Sequence, residues 1–244
     1  MHTPPLLAFK NVTVYRESQK ALNRVSLTIH SGEHVAILGP NGCGKSTLIQ
    51  TLTRDCYPFL GDMDWSLTIL GRDRWNVFEL RAMLGIVNND LMQSCRGSYS
   101  AREVVLSGFF SSIGVWPNHE VTAAMERRAD EVMELLEVSH LAERPVGETS
   151  SGEGRRVLIA RALVNDPPAL ILDEPSTSLD LRAMRELRET LRKIAADKTI
   201  ILVTHHVDEI IPEMERLILM SSGQVVKDGP KADVLTAANL SALF

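Results

Sequence analysis

The sequence predicts an α/β fold: a mostly parallel sheet flanked by helices, with an N-terminal antiparallel β layer and an inserted helical subdomain. Three observations predict it. After Arg155, short apolar runs alternate with amphipathic ones, which is the pattern of a parallel sheet covered on both faces. The apolar runs "ALILD" and "TIILVTH" each end in a polar residue, and ligands in such sheets bind beyond the carboxyl ends of the strands. A glycine-rich "GPNGCGKST" follows a third apolar run, "HVAIL".

Taken in order, "LLAFKNVTVY", "NRVSLTI" and "EHVAIL" are rich in Val, Ile and Leu and are separated by the turn-prone "RESQK" and "HSGE". They read as a small antiparallel layer leading into a core strand. From about Ala101 to Glu143 the character turns helical, since "TAAMERRADEVMELLEV" spaces its apolar residues at three and four. Then follow a helix "RRVLIARALVND", a strand "ALILD", a helix "DLRAMRELRETLRKIAAD", a strand "TIILVTH" and a helix-like "HVDEIIPEME".

With 244 residues, 44% of them hydrophobic, the chain can bury a core without staples. Its formal net charge of -5 argues against a nucleic-acid surface, which would be basic. Cys43, Cys56 and Cys95 stand too far apart for a disulfide framework or a metal knuckle, and a reducing cytoplasm fits them best. The N-terminal "MHTPPLLAFK" lacks a charged leader before an apolar core, and no run of about 18 apolar residues occurs. The chain is therefore expected neither to enter nor to span a membrane alone.

"GPNGCGKST" fits the phosphate-loop pattern G-x-x-x-x-G-K-[ST], after an apolar strand and before a helix. Gly39, Gly42 and Gly44, with Pro40, Asn41 and Cys43 between them, let the backbone wrap close to phosphates. Lys45 reaches the β and γ phosphates, Ser46 offers its hydroxyl to Mg²⁺, and Thr47 begins the helix. The rival dinucleotide pattern G-x-G-x-x-G fails because Gly42 and Gly44 are followed by Thr47, and it leaves Lys45 without a role. Cys43 reads as a small filler. At the end of "ALILDEP", Asp173 can hold the Mg²⁺ shell and Glu174 can orient or deprotonate a water.

Before "RRVLIARAL" stands "ETSSGE", and after "ALILDEP" stands "STSLD". This order resembles the ATP-binding cassette (ABC) ATPases over nearly the whole chain, so the fold becomes a P-loop NTPase with an ABC-type core. The resemblance implies a single domain over 1–244, with its core at 1–89 and 150–244 and the helical insertion at about 90–149. The family's signature reads L-S-G-G-Q. Here it is Thr149, Ser150, Ser151, Gly152 and Glu153, a departure at three of five positions that keeps a hydroxyl and a close-approach glycine. In a head-to-tail dimer the resemblance puts Ser150, Ser151, Gly152 and Glu153 over the γ-phosphate held by the other chain's Lys45.

Carried over position by position, Tyr15 stands where the family stacks an aromatic on adenine, and Asp180 of "SLD" stands near the facing protomer. His205 stands at the switch histidine, helping Lys45 and Glu174 in catalysis, while the adjacent His206 is read as a helix start because a metal lacks a third ligand. Asn89, in "LGIVNND", stands where the family usually has Gln. Its amide is one methylene shorter, which implies a longer or water-bridged contact to Mg²⁺ or water, and modest hydrolysis.

"EVVLSGFFSSIGVW" with "SSGEGRRVLIARAL" is more loosely similar to cassette ATPases of molybdate-uptake loci. The implied function is hydrolysis of ATP with Mg²⁺ by a cytoplasmic subunit, peripheral on the membrane. It would pair with itself or a paralogous ABC ATPase and drive a separate membrane permease, with no nucleic acid. The alternative is a soluble non-transport ATPase acting on a macromolecular partner in translation, repair or regulation. Such proteins commonly carry two cassettes or long arms, and this chain has one phosphate loop and no basic patch. A small-metabolite kinase would have no use for the signature stretch.

Overall fold

The computed structural model describes residues 4–61, 64–95 and 97–244. The first three residues of the N-terminal stretch, on which the expectation of no leader partly rests, lie outside the described residues. The elements in chain order are β1 (Leu7–Arg16), β2 (Gln19–Ile29), β3 (Val35–Leu38), α1 (Lys45–Leu52), β4 (Ser66–Ile69), α2 (Val77–Met83) and β5 (Leu84–Val87). There follow α3 (Asn89–Cys95), α4 (Ala101–Leu106), α5 (Ala123–Leu135), α6 (Ser151–Leu163), β6 (Ala169–Asp173), α7 (Leu181–Ala195) and β7 (Thr199–Thr204). The last are β8 (Arg216–Ser221), β9 (Gln224–Pro230), α8 (Lys231–Val234) and α9 (Ala237–Leu243). They divide into two compact units, one running to Val77 and resuming at Thr199, the other spanning Phe78–Lys198.

In the first unit, β1 pairs antiparallel with β2 and with β4. Leu7, Phe9, Val12 and Val14 bury one face of β1 opposite Leu22, Val25, Leu27 and Ile29 of β2. The spacing between Phe9 and Val12 breaks strict alternation, and a register shift there, with Asn11 at φ 50, keeps both pairs facing inward. β3 lies between β7 and β8 in parallel register, and all four of its residues are buried, so it shows the continuous apolar run of a strand covered on both faces. β9 turns back on β8 through Ser222 and Gly223, both at positive φ, as a two-residue hairpin requires. The helix expected over 206–215 is only a single 3₁₀ turn at Val207–Glu209. Ile210 leaves it extended at ψ 117, and Pro212 cannot supply a helical N–H.

In the second unit, β5 and β6 pair in parallel, Leu84 against Ala169 through Val87 against Leu172. Val157, Leu158, Ile159 and Ala160 bury consecutive positions of α6, so this helix is covered on more than one face. It reaches β5 because Gly85 has no side chain: a Cβ there would stand 2.9 Å from the Ala162 carbonyl oxygen. α7 is amphipathic, with Leu187, Leu191 and Ile194 inward at steps of four and three. Each such side chain contributes about 1.5–3 kcal/mol by leaving water. The expected helical stretch of 101–143 holds α4, a 3₁₀ turn at Ser107–Phe110 and α5. Ser100 starts α4 with a capping box closed by Glu103.

Candidate nucleotide site

The phosphate loop leaves the buried end of β3 and enters α1 within residues 39–44. Gly39 N donates to Thr204 O at 3.3 Å, Cys43 N to Pro40 O at 3.3 Å, and Gly223 N to Cys43 O at 2.9 Å, which fixes the loop as a closed arch. Gly44 caps α1 at φ 105 and offers no side chain to the first-turn N–H groups, leaving their dipoles to an anion. The glycines are required sterically as well. A Cβ at Gly39 would stand 2.3 Å from Met220 O and 2.7 Å from Cys43 Sγ, and one at Gly44 would stand 2.4 Å from Ala21 O. The buried Cys43 thiol thus fills the space beside Gly39.

Lys45 is only 4% exposed, and its Nζ donates to Gly39 O at 2.7 Å and Pro40 O at 3.0 Å. The ammonium is therefore held over the arch, within the loop that would receive a phosphate. Ser46 is exposed on the first turn of α1, and the Thr47 side chain is buried.

Leu38 and Thr204 are register partners, so the loop and His205 emerge from the same end of neighbouring parallel strands. The rings of His205 and His206 lie 3.9 Å apart, and His206 N donates to Thr204 Oγ1 at 2.9 Å. Tyr15 pairs with Lys20 beside the turn of the β1–β2 hairpin, one residue from Ala21, which abuts Gly44. Its ring is 39% exposed, packs edge-on against Phe59 at 5.1 Å, and carries Lys20 Nζ at 5.9 Å from its centre. One face of the Tyr15 ring is thus supported locally on the loop's flank.

In the second unit, Asp173 ends β6 and Glu174 follows at φ 49, a left-handed conformation uncommon outside glycine. Glu174 O accepts from Thr177 N at 3.3 Å and Ser176 O from Leu179 N at 2.9 Å, and Ser178 at φ 66 completes the sharp turn into α7. Asp180 caps α7, its Oδ1 accepting from Ala183 N at 2.7 Å. Asn89 opens α3 directly after β5. Its Oδ1 accepts from Arg155 Nη2 at 2.8 Å and its Nδ2 lies 3.4 Å from Thr177 Oγ1.

The signature stretch starts α6. Ser150 is the N-cap, Ser151 the first helical residue, and Glu153 closes a capping box. Backbone and hydroxyl hydrogen bonds from Ser150 hold the Glu153 carboxyl below its usual range. Gly152 permits close approach to α7, since a Cβ there would stand 3.0 Å from Ala183 Cβ.

Comparison with known proteins decides the family. The ABC transporter family profile matches residues 22–177. The chain belongs to the ABC transporter family. Over 242 residues it is 31% identical to a protein named as a putative ABC transporter ATP-binding protein of Streptococcus mutans, covering 98% of this chain and 92% of that one. It is similar in structure to cbiO1 of Clostridium perfringens, described as part of the ABC transporter complex cbiONQ, with TM-score 0.81, 27% identity, and 97% and 92% of the two chains covered. A dimeric ATP-binding cassette in a post-hydrolysis state bound to ADP and phosphate superposes with TM-score 0.74 at 28% identity, over 92% of this chain and 98% of that one.

ABC transporter ATPases bind ATP with Mg²⁺ and hydrolyse it, and the arch of Gly39–Lys45 fits a phosphate chain by its steric demand for glycine, its helix N-terminus and its held cation. Among the described residues, no helix of this ABC chain is long and apolar enough to cross a membrane. The residue that sequence reasoning missed is Arg155. In the sequence it only opens the helical run "RRVLIARAL", yet it is 2% exposed and tethers Asn89, 66 positions away. Its one sequence signal is a charge on the otherwise apolar face of α6.

Proposed function

We propose that this chain is the ATP-hydrolysing subunit of an ABC transporter, closing head to tail with a second cassette around Mg·ATP and driving a separate membrane permease from the cytoplasmic side. The observation that carries this reading is the presence, in one chain, of a phosphate arch under Lys45 and of a capped helix start at Ser150 within the signature stretch. The dimeric cassette bound to ADP and phosphate, and the membership of cbiO1 in a transporter complex, support it. In this reading the chain works as one cassette, with core segments 1–89 and 150–244 and an inserted helical segment at about 90–149.

In this reading the arch N–H groups and Lys45 hold the triphosphate, Tyr15 stacks on adenine, and Ser46 and Asp173 would hold Mg²⁺. The ion supplies charge neutralisation on the phosphate oxygens. Glu174 accepts the proton of the attacking water, His205 orients it, and the partner's signature stretch, with Asp180 beside it, closes the far side. The Asn89 amide oxygen, which accepts from Arg155, would use its other lone pair toward Mg²⁺ or a bound water. Asn89→Gln lengthens this reach by one methylene and is expected to raise kcat by up to about tenfold with little change in nucleotide affinity. An unchanged kcat would discard the short-reach explanation.

The reading is tested by pull-down of the tagged Glu174→Gln chain from its native cells, in Mg·ATP after gentle detergent extraction. A stoichiometric multi-span membrane protein is the expected partner. Recovery with only itself, ribosomes or nucleic acid would overturn the permease assignment and leave the ATPase assignment standing.

A further inference from the structure

We propose that Glu153 is the charge that limits how tightly two copies of this chain close on ATP. This rests on the head-to-tail reading above and concerns the regulation of the same site. Ser150 N and Ser150 Oγ both donate to Glu153 Oε2 at 2.8 Å, and Glu153 N donates to Ser150 Oγ at 3.3 Å. The capping box at Ser150 therefore carries a third bond, in which the hydroxyl is the donor. A serine hydroxyl has one proton to give. Here it is given to the chain's own carboxylate, and what remains outward is a lone pair, the wrong polarity for a phosphate oxygen.

The carboxylate also brings a full negative charge to the helix start that has to receive an anion. Most of the cations in the surrounding groove are already paired within the chain and do not cancel that charge. Arg156 and Arg182 both bind Glu186 at 2.9 Å, and Lys193 binds Glu137 at 2.7 Å. Arg144 and the well-exposed His140, whose Nε2 lies 3.8 Å from Glu153 Oε1, offset that charge only in part. An approaching triphosphate thus meets a carboxylate within one hydrogen bond of the hydroxyl meant for it. Closure has to break the Ser150–Glu153 hydroxyl bond and to overcome like-charge repulsion.

Glu153→Gln removes the charge and keeps the box, since Gln closes a capping box as Glu does. The fold and its melting curve are expected to stay nearly unchanged. The experiment measures the Mg·ATP-dependent dimer by sedimentation equilibrium in chains that also carry Glu174→Gln, so that ATP persists. Glu153→Gln is expected to lower the dimer Kd by about tenfold or more, which is about 1.4 kcal/mol, and the gain should shrink as salt rises. Ser150→Ala is expected to weaken the dimer more when added to Glu153→Gln than when added alone, because a neutral amide oxygen holds the hydroxyl proton less firmly than a carboxylate does and yields it more readily to the phosphate. A dimer that is no tighter in Glu153→Gln overturns the proposal while the head-to-tail reading stands. Absence of any ATP-dependent dimer, with or without the substitution, overturns that reading and the proposal together.

Discussion

Glu174→Gln is expected to lower the ATP turnover number by about 10² to 10⁴-fold, the range associated with loss of a general base. The substitution is nearly isosteric and leaves the phosphate arch untouched, so Mg·ATP should still bind and the ATP-dependent dimer should accumulate because it is no longer consumed. The backbone gives the assignment a further handle. Glu174 sits at φ 49 immediately after the buried strand β6, so its side chain is set by a turn conformation that the substitution preserves. Single-turnover phosphate release, measured beside equilibrium binding of a fluorescent ATP analogue, separates the two effects. A variant that releases phosphate like the parent shows that Glu174 is not the base. One that fails to bind shows that the carboxylate serves the ground state.

What could be read along the sequence was whatever lies close in sequence. The arch is encoded within Gly39–Thr47, where glycine spacing, a basic side chain and the following helix are adjacent covalently, and the structure brings them together as one turn. β3, β6 and β7 were legible because strands buried on both faces are continuously apolar. β4 has four residues and alternates exposed with buried, which does not distinguish it from loop. The β8–β9 hairpin turns on Ser222–Gly223 and exposes most of β9, so its stabilising contact is with β8 and not with a pattern of its own. The 206–215 segment spaces Val207, Ile210, Ile211 and Met214 at helical steps of three and four, yet Ile210 is buried in extended chain and Ile211 stands directly before Pro212. Arg155 and Asn89 meet only through the packing of α6 and α3, a tertiary relation that local spacing cannot carry. Glu153 was legible as part of a signature, while its bond to the Ser150 hydroxyl depends on the helix geometry at that end.

Gly44→Ala is expected to destabilise the fold by about 3 kcal/mol or more and to abolish measurable nucleotide binding. Two independent costs combine. Gly44 holds φ 105, a conformation that L side chains rarely adopt, and strain of this kind costs about 1–3 kcal/mol. The added methyl also stands 2.4 Å from Ala21 O and 3.1 Å from Leu22 Cδ2, and the first of these is backbone of β2, which cannot rotate away. Relief requires the start of α1 to separate from β2, at a cost typical of overpacking, about 1–3 kcal/mol. That movement carries the first-turn N–H groups and Lys45 off the arch. Gly42→Ala isolates the strain, since Gly42 has φ 78 and nothing within 4 Å of the added methyl. It should destabilise the fold by only about 1–2 kcal/mol. Chemical denaturation of both variants distinguishes the causes. Equal losses would show that φ alone governs the loop, whereas a larger loss at Gly44 shows that β2 is the wall against which the phosphate arch is built.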